Sequence, residues 1–479
     1  MIPELSALFS HPISLFFICT VAGWIFGLLT GMIPGIHVNN IAAVLASAAL
    51  ILYSFGFSPI SLSIIILSCA ISHTFHNIIP AIFLGAPGED TALAVLPGHK
   101  LLLAGEGMSA VRLSSLASAG SVLLSPILMI PAGLFLYQFY PILESYMGWI
   151  LVIIALIVLL SEIKISKIIS AAFVFLTSGL LGYLAFGLDG SLNPIILSSS
   201  VSVLMPLLSG LFGVPQIIVS MLTDSEIPSV SEIKGTFPKK MFYKGTLLGT
   251  VAGASVSWIP GVSSSVAAIL SGIFTGKAAE YEPDSYVEFK SGQNKLDQNL
   301  NEIQNDSPIQ NYFAEKEIEI NHAKEFIVVV SAINTANTIF GLLAFFVIGK
   351  SRSGAVVSIR DILSQANFQM TGGFFSQNMQ ELFFLFYGVI MLSGLLSYFS
   401  TIYAGKIIPK LFQKMNYKIL SFLILLFLLS LTFLMSGSYG FILFSASVFV
   451  GFLPVILHVR KSNLMGVIMF PVMLYFLGF

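Results

Sequence analysis

Apolar residues fill long runs along the chain, and short stretches rich in glycine or polar residues separate these runs. A transmembrane helix needs about 20 mostly apolar residues, so each run can cross or enter a bilayer. The pattern predicts an all-α polytopic membrane protein with about fourteen membrane segments, of which 262–276 is short enough to be re-entrant. The segments lie near residues 13–33, 36–56, 59–84, 112–135, 146–160, 165–188, 195–221, 241–259, 262–276, 325–349, 381–405, 419–436, 440–457 and 464–478.

The composition supports the same class of protein. The chain is 56% hydrophobic and only 9% charged, whereas soluble domains carry about 25% charged residues. We therefore expect a multi-pass protein of the cell membrane that is surrounded by the lipid bilayer. A net charge of -1 gives no indication of nucleic-acid binding. Cys19 and Cys69 lie in apolar runs, so they predict neither a disulfide framework nor a metal cluster.

Lysine and arginine residues cluster in a few short loops. Fourteen crossings that start outside would place four of these loops in the cytoplasm, as the positive-inside rule expects. In this topology Lys350, Arg352 and Arg360 fall on the outer side, against the rule. The four basic loops lie at residues 164–167, 234–244, 406–418 and 460–461.

The chain contains an internal repeat around two Pro-Gly dipeptides. "GWIFGLLTGMIPGIHVNNIAAVL" (23–45) matches "GTVAGASVSWIPGVSSSVAAIL" (249–270). In both copies a Gly-x-x-x-Gly spacing leads to Ile-Pro-Gly, then to a polar cluster and a helix of small residues. A recurring break with equally spaced glycines is more specific than a single Pro-Gly turn. The aligned pairs are Gly23 with Gly249, Gly27 with Gly253, Pro34 with Pro260 and Gly35 with Gly261.

A second, looser match extends the repeat. "AISHTFHNIIPAIFLGAPGE" (70–89) aligns with "AINTANTIFGLLAFFVIGKS" (332–351), which places Thr74 opposite Thr335 and His76 opposite Asn337. The predicted topology gives the two copies opposite orientation, as in the inverted repeats of secondary transporters. We expect a first transmembrane repeat at 1–222, a basic cytoplasmic connector at 223–244, and a second repeat at 245–479 that contains a polar cytoplasmic loop at 277–323.

The two breaks predict a binding site. A Pro-Gly break frees backbone groups at membrane depth, and a substrate, an ion or water can satisfy them. The start of the following helix favours an anion, and carbonyl oxygens before the break can coordinate a small cation. Thr30, His73, Ser255 and Ser257 are further polar candidates nearby. The predicted substrate- and ion-binding residues are Pro34, Gly35, His37, Asn39, Asn40, Thr74, His76, Asn77, Pro260, Gly261, Ser263, Ser264, Ser265, Asn334, Thr335 and Asn337.

The sequence leaves functions other than transport open. His73 and His76 could serve an intramembrane enzyme, but no cysteine or carboxylate accompanies them and H-E-x-x-H is absent, so we predict no catalytic or metal site. A histidine that couples transport to protons remains an alternative. The chain could instead be a membrane scaffold or receptor that docks partners through 277–323. The Walker A pattern is absent, so we expect neither ATP hydrolysis nor a cofactor, and sodium or protons as the coupling ion.

The motifs resemble the large permease subunit (TctA-type) of the tripartite tricarboxylate transporter family. They are "GLLTGMIPGIH", "GTVAGASVSWIPGVS", "FLGAPGEDTALAVLPGHKLLLAGEGMSAVRLS" and "MPLLSGLFGVPQII". His37 and Ser263 stand where the family has glycine, and "AINTANT" lacks the family's glutamate, as in a divergent branch. The resemblance implies secondary active transport of a small carboxylate solute, driven by a sodium or proton gradient. It also implies two partners, a small membrane subunit and an extracytoplasmic solute-binding protein.

Overall fold

The chain folds almost entirely into α-helices. The described residues contain no strand, and seven of their helices are long and apolar enough to cross a membrane. This confirms an all-α polytopic membrane protein. The computed structural model describes residues 12–33, 38–83, 91, 94–162, 164–195, 203–222, 237–274, 306–365, 377–414 and 417–479.

The helices of the first half include several short pieces between the long ones. A π-helical turn, Ser209–Gly213, joins the last two of them. The helices are α1 (Pro12–Met32), α2 (Val38–Ser47), α3 (Ala49–Ser54), α4 (Pro59–His76), α5 (Ile78–Phe83), α6 (Val95–Leu103), α7 (Gly107–Ser145), α8 (Met147–Leu160), α9 (Ile165–Gly187), α10 (Leu204–Leu208) and α11 (Val214–Leu222).

The second half contains the three longest described helices apart from α7. A 3₁₀ turn, Lys461–Met465, leads into the final helix. The helices are α12 (Lys239–Val256), α13 (Ser264–Phe274), α14 (Asp306–Ile348), α15 (Gly354–Gln365), α16 (Gln377–Lys414), α17 (Tyr417–Leu457) and α18 (Gly466–Leu477).

Several apolar segments differ from the simple spans expected of them. The segment at 36–56 is divided between α2 and α3, and in the segment at 195–221 the described residues form the short helices α10 and α11 and their π turn. The apolar runs of the sequence did not predict α15, because it is an amphipathic helix of 12 residues with one buried face. Broken and short helices are tolerated at membrane depth where protein surrounds their backbone.

The end of the expected polar loop is helical. Helix α14 begins at Asp306, so residues 306–323 extend a membrane helix and do not form a loop. Ion pairs explain this difference, because Glu319 lies 2.5 Å from Lys100 of α6 and Lys324 lies 2.6 Å from Glu106 at the start of α7. Lys324 is almost fully buried, so its charge is compensated within the protein. Residues 277–305 lie outside the described residues.

The repeated glycines bring two helix pairs into close backbone contact. A Cβ on Gly27 of α1 would lie 2.5 Å from the Cβ of Ser72 in α4. A Cβ on Gly253 of α12 would lie 2.6 Å from the carbonyl oxygen of Ile333 and 2.7 Å from the Cβ of Ala336 in α14. Small residues at such positions let membrane helices approach closely. Helices α1 and α4 therefore pack in the same way as α12 and α14.

The glycine contacts also relate the polar positions of α4 and α14. Because Gly27 faces Ser72 and Gly253 faces Ala336, the next residues, His73 and Asn337, take equivalent positions. The looser sequence alignment had paired Asn337 with His76, which is three residues further along α4. The inverted orientation of the two halves stays a prediction.

Candidate functional site

A polar cavity of about 200 Å³ lies where helices from both halves of the chain meet. Its wall is built from the start of α2, the C-terminal part of α4, the break after α12, part of α14 and the turn before α15. Leu204, Leu208, Met465 and Ile468 add an apolar side. The polar lining residues are Asn39, His73, Thr74, Ser257, Ser263, Asn337, Thr338, Arg352 and Ser353.

The second Pro-Gly dipeptide forms a true break in the helix. Helix α12 ends at Val256, and α13 begins only at Ser264. Gly261 has φ of +74°, and a Cβ there would lie 3.1 Å from the Cα of Met469 in α18. A glycine is required by both the backbone conformation and the close approach. The break therefore holds the residues before α13, including Ser263, against the cavity.

Three helices begin at the cavity. Val38 is the first residue of α2, Ser263 immediately precedes α13, and Gly354 is the first residue of α15, and all three line the cavity. These helices have 10, 11 and 12 residues, respectively. The N-terminus of a helix carries partial positive charge, so it favours an anion. Three such ends directed at one cavity favour a negatively charged ligand.

Arg352 provides the positive charge of the site. It lies in the turn between α14 and α15 and lines the cavity. One terminal nitrogen, Nη2, donates to the hydroxyl of Tyr140 at 2.5 Å. The Nε atom is buried and has no hydrogen-bond partner among the described residues. A buried N–H donor without an acceptor is costly, and the carboxylate of a ligand would satisfy it.

An ion pair lies behind Arg352. Tyr140 donates to the carboxylate of Glu144 at 3.3 Å, and that carboxylate also lies 2.8 Å from Nζ of Lys350. The hydrogen bond to Glu144 raises the pKa of Lys350, so this lysine stays charged. Tyr140 thus stands between Arg352 and an acidic group that Lys350 neutralises. This arrangement holds the guanidinium without placing a carboxylate directly on it.

Asn39 connects the first half of the chain to the start of α15. Its Oδ1 accepts a hydrogen bond from the backbone N–H of Ala355 at 3.1 Å. Ser353 accepts one from the N–H of Val356 at 3.3 Å, so the first turn of α15 is capped from two sides. A Cβ on Gly354 would lie 2.7 Å from Cγ of Asn39.

The two histidines of α4 differ in their surroundings. His73 lines the cavity, and its Nδ1 lies 3.0 Å from the hydroxyl of Thr30. His76 lies away from the cavity, where Nδ1–H donates to the carbonyl oxygen of Ser72 at 2.7 Å. Nε2 of the neutral ring then accepts from the Ser400 hydroxyl at 2.8 Å. His76 therefore joins α4 to α16, whereas His73 faces the site.

The remaining predicted residues divide between the cavity wall and helix contacts. Thr74 lines the cavity and lies 3.2 Å from the Thr335 hydroxyl, while Asn334 donates to Asn77 at 3.4 Å. These two pairs join α4 to α14. Gly261, Ser263 and Asn337 line the cavity, whereas Pro260, Ser264 and Ser265 are not among its lining residues.

Ser263 and Asn337 present their polar groups differently. Nδ2 of Asn337 donates to the hydroxyl of Ser264 at 3.2 Å. The hydroxyl of Ser263 is buried and has no hydrogen-bond partner among the described residues. It is therefore available to a ligand in the cavity, together with Nε of Arg352.

Some predicted residues lie outside the described part of the chain. These are Pro34, Gly35 and His37, together with the side chain of Asn40, whose backbone belongs to α2. Within the described ranges, no group of three or more histidine, cysteine or acidic side chains could hold a metal ion.

The sequence did not point to three polar residues of the cavity, Thr338, Arg352 and Ser353. His73 and Ser257, which the sequence offered only as further polar candidates, also line it. Arg352 and Ser353 lie in a short polar turn that hydropathy windows average away.

A signal for Arg352 was present, because it broke the positive-inside rule. Arginine at membrane depth is expensive and marks functional sites. Arg360, which also broke the rule, pairs with its neighbour Asp361 at 2.9 Å.

A polytopic helical fold with broken helices around a cationic interior cavity defines a membrane transport protein. Comparison with known families makes the class specific. The tripartite tricarboxylate transporter TctA family matches residues 17–297 and 304–466, and the chain belongs to this family. The family is one of transporters, not of enzymes, and its members work in tripartite systems with other subunits and a substrate-binding protein.

A relative from an archaeon covers nearly the whole chain. The uncharacterized protein MJ1079 of Methanocaldococcus jannaschii is 27% identical over 468 residues, which is 95% of this chain and 98% of the relative. This distance agrees with a divergent branch of the family. No solved structure matches the chain.

Proposed function

We propose that this chain is the permease that moves a small carboxylate solute across the membrane, and that the solute binds in the cavity beside Arg352. The single observation that carries the proposal is the buried, unpartnered Nε of Arg352 at the cavity wall. A buried N–H donor without an acceptor is unfavourable by about 1–3 kcal/mol. A carboxylate would accept from the guanidinium and offset this cost.

The surroundings of Arg352 support an anion over a neutral or cationic solute. Among the described lining residues, Arg352 is the one lysine, arginine, aspartate or glutamate. The starts of α2, α13 and α15 add partial positive charge. Hydroxyl and amide groups such as those of Ser263 and Asn337 offer further hydrogen bonds without adding charge. Together these groups fit a compact solute rich in carboxylate oxygens.

Transport against a concentration difference requires an energy source, and we propose a sodium or proton gradient. Helices that break at membrane depth can rearrange around a fixed site, which is how secondary transporters alternate access. His73 lies in the same cavity and is the candidate for proton coupling. The family's other subunits and substrate-binding protein would deliver the solute to the outer side.

Uptake of radiolabelled citrate tests this function in cells that express the chain with its partner subunits. We expect Arg352→Gln to lower uptake about tenfold or more, which corresponds to about 1.4 kcal/mol. Arg352→Lys should keep more activity, because it keeps the charge but loses the fork of donors. Arg360→Gln is the matched control and should leave uptake unchanged. Full uptake by Arg352→Gln at normal membrane abundance would refute the proposed site.

Dissipating the gradients separately identifies the energy source. A sodium ionophore should abolish accumulation if sodium drives transport, and a protonophore should abolish it if protons do. Accumulation that survives both treatments would exclude secondary active transport. Binding of citrate without accumulation would favour a receptor.

A further inference from the structure

Helix α17 is interrupted in the middle of an apolar region. Gly437 has φ of 65° and ψ of -161°, which lie outside the helical range within Tyr417–Leu457. This conformation is essentially restricted to glycine. The carbonyl oxygen of Asn193 packs directly against Gly437, where a Cβ would stand. The break is therefore built into the sequence, although no Pro-Gly dipeptide marks it.

Two hydroxyl groups lie at this break without hydrogen bonds. Thr432 and Ser436 are both fully buried, with 0% of their surface exposed. Neither hydroxyl has a hydrogen-bond partner among the residues that the structure describes. They are four residues apart on one helix, so they lie on the same face. Each unpaired buried hydroxyl is unfavourable by about 1–3 kcal/mol, which an unseen ligand would relieve.

Two carbonyl oxygens lie near the break. The Asn193 carbonyl oxygen approaches the break, and the Leu434 carbonyl oxygen accepts a hydrogen bond from Ile195 N–H at 2.9 Å. The helical segment before Gly437 ends here, so its partial negative charge points at the break. Unwound carbonyl groups and the C-terminal ends of half-helices favour small monovalent cations in membrane proteins. We propose that the break at Gly437 binds a sodium ion through the Thr432 and Ser436 hydroxyls and neighbouring carbonyl oxygens.

The sodium site lies one helix away from the polar cavity. Helix α10, Leu204–Leu208, packs against α17, and its residues Leu204 and Leu208 also line the cavity. The π-helical turn after α10 packs on α17 as well. Sodium at the break orders α17 and thereby α10, which forms one wall of the cavity. A role in driving solute transport rests on the proposed function, whereas sodium binding itself does not.

Thermal unfolding of the purified full chain in detergent, without any carboxylate solute, tests the site. The melting temperature is measured against sodium chloride, with potassium chloride or choline chloride keeping the ionic strength constant. We expect a sodium-specific rise for the wild type. Thr432→Val, which keeps the shape but removes the hydroxyl, should raise the half-maximal sodium concentration about tenfold or more. Thr432→Ser, which keeps the hydroxyl, should retain the wild-type response.

Ser436→Ala should weaken the sodium response in the same way as Thr432→Val. The matched control is Ser445→Ala on the same helix, because the Ser445 hydroxyl already donates to the Phe441 carbonyl oxygen at 2.9 Å. Its response should equal that of the wild type. No sodium-specific rise in the wild type, or an unchanged midpoint in Thr432→Val, would overturn the proposal. Because no carboxylate is present, that failure would leave the role of Arg352 untouched.

Discussion

Oδ1 of Asn39 accepts a hydrogen bond from the backbone N–H of Ala355 at 3.1 Å, across 316 positions of the sequence. This contact fixes the start of α15 to the start of α2, and both helix ends face the cavity. The contact between α2 and α15 is therefore part of the wall of the proposed site.

Two replacements of Asn39 distinguish loss of the helix cap from the addition of negative charge to the cavity. Asn39→Ala removes the cap and should lower the free energy of unfolding by about 1 kcal/mol, with weaker citrate binding. Asn39→Asp keeps an acceptor for Ala355 but adds a negative charge, so stability should be largely retained while citrate binding falls. Thermal unfolding and citrate binding measured on the same preparations check both. Equal citrate affinity in Asn39→Asp would argue against an anion in this cavity.

Tyr140 is a positioning residue for Arg352. Tyr140→Phe removes the hydroxyl that accepts from Nη2 and donates to Glu144. Losing one such hydrogen bond should weaken citrate binding by about 5- to 10-fold, or about 1 kcal/mol. The preference for citrate over a neutral solute should persist, because the guanidinium charge remains.

Tyr137→Phe, one turn earlier on α7, is the control for Tyr140→Phe, since Tyr137 is not among the described residues of the cavity. It should bind citrate as the wild type does. The same loss of affinity in both variants would mean that Tyr140 acts through the packing of α7 and not through Arg352.

Replacing His76 should mainly lower stability, whereas replacing His73 should mainly lower citrate uptake. His76→Ala removes the buried hydrogen bonds of the imidazole to Ser400 and to the Ser72 carbonyl oxygen, so the melting temperature should fall. His73→Ala should reduce citrate uptake with a smaller loss of stability, because His73 faces the cavity. Comparing uptake per folded protein distinguishes the two roles. A His73→Ala variant with full uptake would exclude this histidine from proton coupling.

Part of this architecture could be predicted from the sequence. The sequence showed that the glycine spacing recurs, and the structure gives the reason, because only small residues allow the backbone contacts of Gly27 and Gly253. Ser263 and Asn337 were found through the repeated break. The different roles of His73 and His76 could not be predicted, because their hydrogen-bond partners lie on α1 and α16, which are distant in sequence.

Arg352 and Gly437 show why the rest was missed. Arg352 lies in a turn of a few residues, and only the fold places it beside α2 and α4. Gly437 breaks α17 through its backbone conformation, within a run that hydropathy treats as continuous. Short polar turns and isolated glycines are weak signals in a single sequence, although each belongs to a proposed site here.

The matched glycine contacts also predict a result for folding. Gly27→Ala and Gly253→Ala would force a methyl group into the neighbouring helix, and each should lower stability by about 1–3 kcal/mol. Gly187→Ala is the control, because a Cβ there meets no atom within 4 Å. Thermal unfolding in detergent measures the difference. Wild-type stability in both core variants would contradict the close packing of α1 on α4 and of α12 on α14.

Equilibrium binding of citrate to the purified chain tests the central claim most directly. Wild-type and Arg360→Gln proteins should bind citrate with the same affinity, and binding should weaken as salt screens the charge. Arg352→Gln should weaken binding about tenfold or more, without a matching fall in melting temperature. Citrate binding by Arg352→Gln that equals the wild type would contradict the assignment of this cavity as the carboxylate site.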